Sequence, residues 1–407
     1  MIQRKEYLDL LKKWKGEQVI KVITGLRRCG KSTMLALYQD YLRTQGVTDD
    51  QIVYVNFEEL EYETLLDYRE LYGYIKFRLH PEKTTYIFLD EIQQVANFQK
   101  AVDSLYVRQN VDIYITRSNA YLLSGDLATL LSGRYVEINM LPLSFAEYCE
   151  ITNGSDKEIL LAQYMQNGGL PYIAKLSNEA EKVDMYLEGI YNTIIVKDIE
   201  ERQKRKEADP NKRKVNDIAL LKNISKFLAS SVGSPVSMKS IADYITSGGR
   251  SISQSTVSDY VDALVEPYIF YPVERYDVPG KQLLKMNQKM YIVDLGIRRH
   301  LLPRKRYDLG ASLENVVYLE LLRRGYQVNI GKVGAAEIDF VARKGDNVYY
   351  FQVTASMVEE STFQREMAPL KAVNDNYSKT IITLDRYTPG NYEGIQVVHA
   401  IDWLLDK

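Results

Sequence analysis

Eight consecutive residues restrict this chain to very few folds: Gly25-Leu26-Arg27-Arg28-Cys29-Gly30-Lys31-Ser32, of the form G-x-x-x-x-G-K-S. They follow an apolar run, Val19 to Ile23, and precede a helix-prone stretch, Thr33 to Thr44. A strand, a glycine loop and a helix in that order make a cradle for phosphate. The glycines let the backbone curl so that its N–H groups point inward, and the helix N-terminus lies against the anion. The segment from Gly25 to Thr33 is therefore expected to contact a nucleoside triphosphate. Within it Lys31 reaches the β- and γ-phosphates and the Ser32 hydroxyl ligates Mg²⁺.

Tyr86 to Glu91 is a short apolar run ending in two carboxylates, as a buried parallel strand ends at the phosphate edge of a sheet. Asp90 suits the acid on the Mg²⁺ side and Glu91 the base that polarises the attacking water. The plainer reading is a pair of solvated acids at a strand end.

At 407 residues the chain is too long for one ordinary core, and two to four domains are expected. With 45% hydrophobic and 26% charged residues it has the composition of a soluble globular protein. No apolar run is long enough for a membrane span, and the N-terminus lacks the apolar centre of a signal peptide. The expected location is the cytoplasm, away from membranes. Two cysteines, Cys29 and Cys149, and three histidines supply neither a disulfide framework nor a zinc site. Cys29 reads as incidental to the loop, though a thiol beside a helix N-terminus can be oxidation-sensitive. A net charge of −2 leaves any DNA contact to a local patch.

Residues 1–142 alternate strand and helix, with strands expected at Val19 to Ile23, Ile52 to Phe57, Tyr86 to Leu89, Val111 to Thr116 and Tyr135 to Met140. That alternation implies a parallel α/β sheet. Residues 143–217 read as a helical lid, broken at Asn167 to Pro171, and a charged linker whose eight basic residues from Lys197 to Asp217 face six acidic ones. The linker is either an exposed hinge or a segment that contacts phosphate. Residues 218–300 read as three helices and a hairpin, a winged helix-turn-helix. Its third helix carries Asp259 and Asp262 and no Lys or Arg between Ser253 and Leu264. Arg250 and Gln254 are the candidates for base contact, and the helix serves either protein docking or duplex DNA. In residues 301–407 a helix from Ser312 to Arg323 precedes a strand pair, Glu337 to Ala342 and Val348 to Thr354, joined by a turn at Lys344 to Asn347.

The loop, the two acids, the segment Ser118 to Leu123, the run Leu130 to Tyr135 and the break Gly168 to Pro171 together resemble the prokaryotic AAA-type ATPases whose C-terminal half is a domain of unknown function. The resemblance spans nearly the whole chain. It implies ATP and Mg²⁺ as ligands, bound and hydrolysed through Lys31, Ser32, Asp90 and Glu91. It also implies the branch of P-loop ATPases in which the fourth strand lies between the loop strand and the acidic strand and ends in a γ-phosphate sensor, here Ser118 or Asn119. Arg134 stands where such proteins place an arginine finger for a neighbouring subunit; its plainer role is a structural pair with Glu137 or a backbone carbonyl. Arg117 departs from the small residue usual before the sensor and is expected to crowd or pair with the γ-phosphate.

The tail resembles the PD-(D/E)XK nuclease fold. Glu314 and Asp339 fit its first two acids, but Gln352 stands where the third acid belongs and Thr354 where the lysine belongs, which implies an inactive binding module. The expected whole is an ATP-driven switch or motor, able to form homo-oligomers and coupled to duplex DNA or a protein partner. Its competitors are an ATP-gated nuclease and a non-hydrolysing ATP-bound scaffold.

Overall fold

In a computed structural model, which describes residues 2–118, 133–176, 179–206, 215, 217–302 and 308–406, the five apolar runs of the first 142 residues become parallel strands. They are β1 (Ile20–Thr24), β2 (Ile52–Asn56), β3 (Thr85–Asp90), β4 (Val111–Thr116) and β5 (Tyr135–Asn139). Every residue of β1 and β3 is buried, as a strand covered by helices on both faces requires. The covering helices include α1 (Lys5–Lys13), α2 (Lys31–Thr44), α3 (Tyr68–Phe77) and α4 (Phe98–Tyr106). Val22, Val55, Leu71, Ile87, Val102 and Ile115 belong to one continuous apolar core.

The sheet order is β2-β3-β4-β1-β5, so β4 lies between the loop strand and the acidic strand, as expected. Ile23 pairs with Thr116, Leu89 with Ile115, and Thr24 with Asn139. This register collects the C-terminal ends of β1, β3 and β4 at one edge. The glycine loop, the two acids and Ser118 all leave the sheet there.

The chain divides into two compact units: Met1–Pro142 with Glu266–Tyr268, and Leu143–Val265 with Ile269–Lys407. The second unit begins with α5 (Phe145–Thr152), α6 (Lys157–Asn167) and α7 (Ala180–Lys206). It continues through α8 (Ile218–Ser230), β6 (Pro235–Val236), α9 (Met238–Ser247), α10 (Gln254–Val265), β7 (Phe270–Asp277) and β8 (Gln282–Ile292). After α11 (Leu295–Leu301) and α12 (Leu309–Arg323) come β9 (Gln327–Val333), β10 (Ala336–Lys344), β11 (Asn347–Thr354), α13 (Glu360–Lys371), β12 (Ser378–Thr383), β13 (Gly390–Tyr392), β14 (Ile395–His399) and α14 (Ala400–Leu405).

One nine-stranded sheet, ordered β13-β14-β12-β11-β10-β9-β7-β8-β6, carries both the expected hairpin and the expected strand pair. β7 runs parallel to β9, which joins them. The break at Asn167 to Pro171 also has a cause. Asp294, fully buried, accepts N–H bonds from Gly169 at 2.7 Å and from Gly296 at 2.9 Å. A Cβ on Gly168, whose φ is +83°, would lie 2.0 Å from the Asp294 carboxylate. The glycines are there so that backbone can wrap a buried anion. Asn119 and the run Leu130 to Ser132 lie outside the described residues, as do residues 207–214 and 216 of the charged linker.

Candidate nucleotide site

Gly25 leaves β1 at φ +141°, and a Cβ there would sit 2.2 Å from the Met140 carbonyl oxygen. Only glycine fits that close approach. Arg28 at φ +66° and Gly30 at φ +107° complete the curl into α2. No side chain caps the N-terminus of α2 and no acid lies in its first turn, so its leading N–H groups remain available to phosphate oxygens. Arg4, from ahead of α1, braces the loop from behind. Its guanidinium donates to the Cys29 carbonyl at 3.1 Å and to the Leu141 carbonyl at 2.9 Å.

The Lys31 ammonium, 4% exposed, donates to the carbonyls of Gly25 at 3.1 Å and Leu26 at 3.2 Å and to the Ser118 hydroxyl at 3.0 Å. Ser118 donates in turn to both Glu91 oxygens, at 2.7 and 2.9 Å. Lys31 lies 3.5 Å from Glu91. Burial alone would raise the Glu91 carboxyl, but Lys31, Ser118 and Gln93 together hold it below the usual carboxylate range. Glu91 itself adopts the left-handed conformation, φ +54°, and its N–H is fixed by the Thr116 hydroxyl at 2.8 Å. That backbone costs energy and is held by the surrounding contacts.

Asp90 is fully buried. It receives the Thr116 hydroxyl and the Tyr54 hydroxyl, the latter at 3.3 Å, and Ser32 bonds to it as well. Burial raises its carboxyl above the ordinary value in spite of those donors. A divalent ion favours the ionised form of such a group. Ser32 is exposed at the start of α2. A hydroxyl and a carboxylate bonded to each other beside an uncapped helix N-terminus fit Mg²⁺ carried with a triphosphate.

The remaining loop residues are placed as follows. Arg27 is 3.7 Å from Glu58. Thr33 is exposed in the first turn of α2. The Cys29 thiol is fully buried and pushed up by that burial, the opposite of a reactive thiolate, which corrects the expectation of oxidation sensitivity. Arg117 is fully buried too, with its guanidinium 5.5 Å from the centre of the Phe98 ring. Its side chain is enclosed by protein. Arg134 precedes β5 at the opposite end of the strand from the loop. It pairs with Asp103 and lies over the Tyr106 ring, so its partner is neither Glu137 nor a carbonyl. Glu137 takes the hydroxyls of Thr24 at 2.7 Å and Tyr268 at 3.1 Å.

In the second unit Glu314 and Asp339 come together around a residue not foreseen, Lys289 of β8, at 3.0 and 3.7 Å. Gln352 accepts from the Asp339 N–H at 3.3 Å and donates to Glu366 at 2.9 Å, while the Thr354 hydroxyl donates to the Ser356 carbonyl. Arg250, an exposed side chain, pairs with Asp217.

Residues 17–149 match the AAA domain family, and residues 158–308 match a domain of unknown function. An uncharacterized protein of Haemophilus influenzae is 41% identical over 410 residues, covering 100% of this chain and 99% of that protein. One of Methanocaldococcus jannaschii is 30% identical over 403 residues, covering 93% of this chain and 84% of that protein. This chain is a P-loop AAA-domain protein of their family. Among solved structures, the Walker-type ATPase of Pyrococcus abyssi is similar at 15% identity and TM-score 0.46, covering 74% of this chain and 96% of that one. The Pyrobaculum aerophilum Cdc6p structure is similar at 15% identity and TM-score 0.30, covering 75% and 94%.

Sequence reasoning missed Thr116, Tyr54, Arg4 and Lys289. Thr116 was legible in principle, since it ends the inserted strand beside the acidic strand and shares a face with Ser118. The others reach their sites from distant segments. Around the AAA-type loop the arrangement can bind a triphosphate, place Mg²⁺ at Ser32 and Asp90, and present a buried, ionised Glu91 as a base.

Proposed function

We propose that the chain is a Mg²⁺-dependent ATPase whose nucleotide state changes the disposition of its C-terminal half. The chain of contacts Lys31–Ser118–Glu91 carries the reading. It couples the group that reaches the γ-phosphate to the group that polarises water, and Ser118 between them acts as the sensor. Adenine is the expected base, because the sequence holds no Asn-Lys-x-Asp stretch for guanine. Ser32 and Asp90 would hold Mg²⁺, which when bound would neutralise charge on the β- and γ-phosphates. Glu91 takes the proton of the attacking water, and Lys31 holds the transferring phosphoryl group.

A route out of the loop supports the switch. Thr24 immediately precedes Gly25, and through Glu137 it shares a hydrogen-bonded group with Tyr268. Tyr268, strained at φ +62°, ends the three-residue return that belongs to the first unit. The chain on either side of that return belongs to the second.

Arg134 lies too far along β5 to act on the loop of its own chain, so in this reading it serves a second copy. Residues 218–300 act as a winged helix that docks a protein rather than DNA, because α10 carries no Lys or Arg and Arg250 pairs with Asp217. Steady-state phosphate release across a dilution series is the test. The expected result is Mg²⁺-dependent turnover that rises per subunit with concentration and is abolished in Lys31→Ala. Tight ATP binding with no turnover at any concentration would leave a scaffold instead. Duplex DNA is expected to bind no more tightly than non-specifically, roughly 10⁻⁴ to 10⁻⁶ M at physiological salt. Sequence-selective binding would overturn the docking assignment.

A further inference from the structure

The resemblance of the tail to the PD-(D/E)XK fold implies a divalent metal at Glu314 and Asp339, and the geometry around these carboxylates rejects one. Lys289, 3% exposed, lies 3.0 Å from Glu314 Oε1, 2.9 Å from Glu337 Oε1 and 3.7 Å from Asp339 Oδ1. Further donors hold this cluster. Glu314 Oε1 also accepts the Tyr291 hydroxyl at 2.6 Å, Glu337 Oε2 takes Arg275 at 2.9 Å, and Asp339 Oδ2 takes the Val353 N–H at 2.9 Å. The Gly233 backbone closes over Glu314 so tightly that a Cβ there would be 2.9 Å from Oε2. The third family acid is the neutral Gln352, whose amide is spent between the Asp339 N–H and Glu366. Among the described residues, no group of three or more His, Cys, Asp or Glu is arranged to hold a metal.

We propose that Lys289 is the resident cation of this cluster, its ammonium standing in the place of a divalent ion. A lysine head group is a compact point charge with three donors, suited to replace a small cation among hard oxygen ligands. It balances carboxylates that burial would otherwise force to neutralise or separate. The second unit thereby keeps the acidic core of a metal site while remaining indifferent to metal. Lys289 also ties the β7–β8 hairpin to α12 and β10 across the unit. The proposal rests on the cluster's geometry and stands whether or not the first unit hydrolyses ATP.

Mn²⁺ uptake by the nucleotide-free full-length chain, followed by electron paramagnetic resonance, tests it. Wild type and Lys289→Arg are expected to bind no Mn²⁺ that depends on Asp339. Lys289→Ala is expected to gain one Mn²⁺ per chain, at least tenfold tighter than any in wild type, and to lose it in the Lys289→Ala/Asp339→Asn double variant. Two results would overturn the proposal: Mn²⁺ bound by wild type and released by Asp339→Asn, or a Lys289→Ala variant that folds normally by circular dichroism yet gains no Mn²⁺. Should Lys289→Ala fail to fold, the wild-type and Asp339→Asn titrations decide alone.

Discussion

Ser118 links the two charged groups of the nucleotide site. It accepts from Lys31 and donates to Glu91. Replacing it with Ala removes one of the interactions that hold the Glu91 carboxyl down. The acid limb of the kcat/KM profile of Ser118→Ala should therefore move to higher pH, with turnover reduced by about 10²-fold, the order of losing one preorganised donor. An unmoved acid limb would separate Ser118 from the base. For folding, the sign is that of a depressed carboxyl: Glu91 contributes stability above its unfolded pKa, and that contribution is lost as pH falls through the lower folded value. That Lys31 and Ser32 lie beside Asp90 and Glu91 was legible because each pair belongs to a short motif at the end of a sheet strand. Arg4 and Lys289 were not, since their partners lie at Cys29, Leu141, Glu314 and Asp339, and no local pattern announces a contact between distant segments.

Among the elements, the parallel sheet followed from alternation and the place of β4 from the resemblance, but the continuity of the nine-stranded sheet followed from neither. A one-sided strand pattern does not reveal which neighbour pairs with its edge, so β7 against β9 was invisible until the fold placed them. The Asn167 to Pro171 break read as an interruption of a helix; its reason is the carboxylate of Asp294, more than 120 residues later. Burial outweighs the N–H bonds to Asp294 and pushes its carboxyl up to about 6. Because the folded value exceeds the unfolded one, its contribution is fully present below the unfolded pKa and is lost as pH rises through about 6. Wild-type stability relative to Asp294→Asn should therefore fall between pH 4 and pH 7 by roughly 3 kcal/mol, read by urea titration at each pH. Gly168→Ala should cost roughly 2 kcal/mol or more at neutral pH, from its left-handed backbone and the clash with Asp294.

Across the whole molecule the proposed function assigns the chemistry to the first unit and the load it acts on to the second. Among the described residues no helix is long and apolar enough to cross a membrane, and the second unit's acidic core already holds its own cation at Lys289. What moves, on this account, is set by whether Glu91 has spent the bound triphosphate. Single-turnover conversion of bound ATP, measured side by side for wild type and Glu91→Gln with Mg²⁺ present, tests that claim directly. The account predicts that both bind ATP equally and that the variant converts it about 10² to 10⁴ times more slowly, the span of a lost general base. Equal conversion rates would show that another group performs the chemistry, and the Lys31–Ser118–Glu91 chain would then be structural.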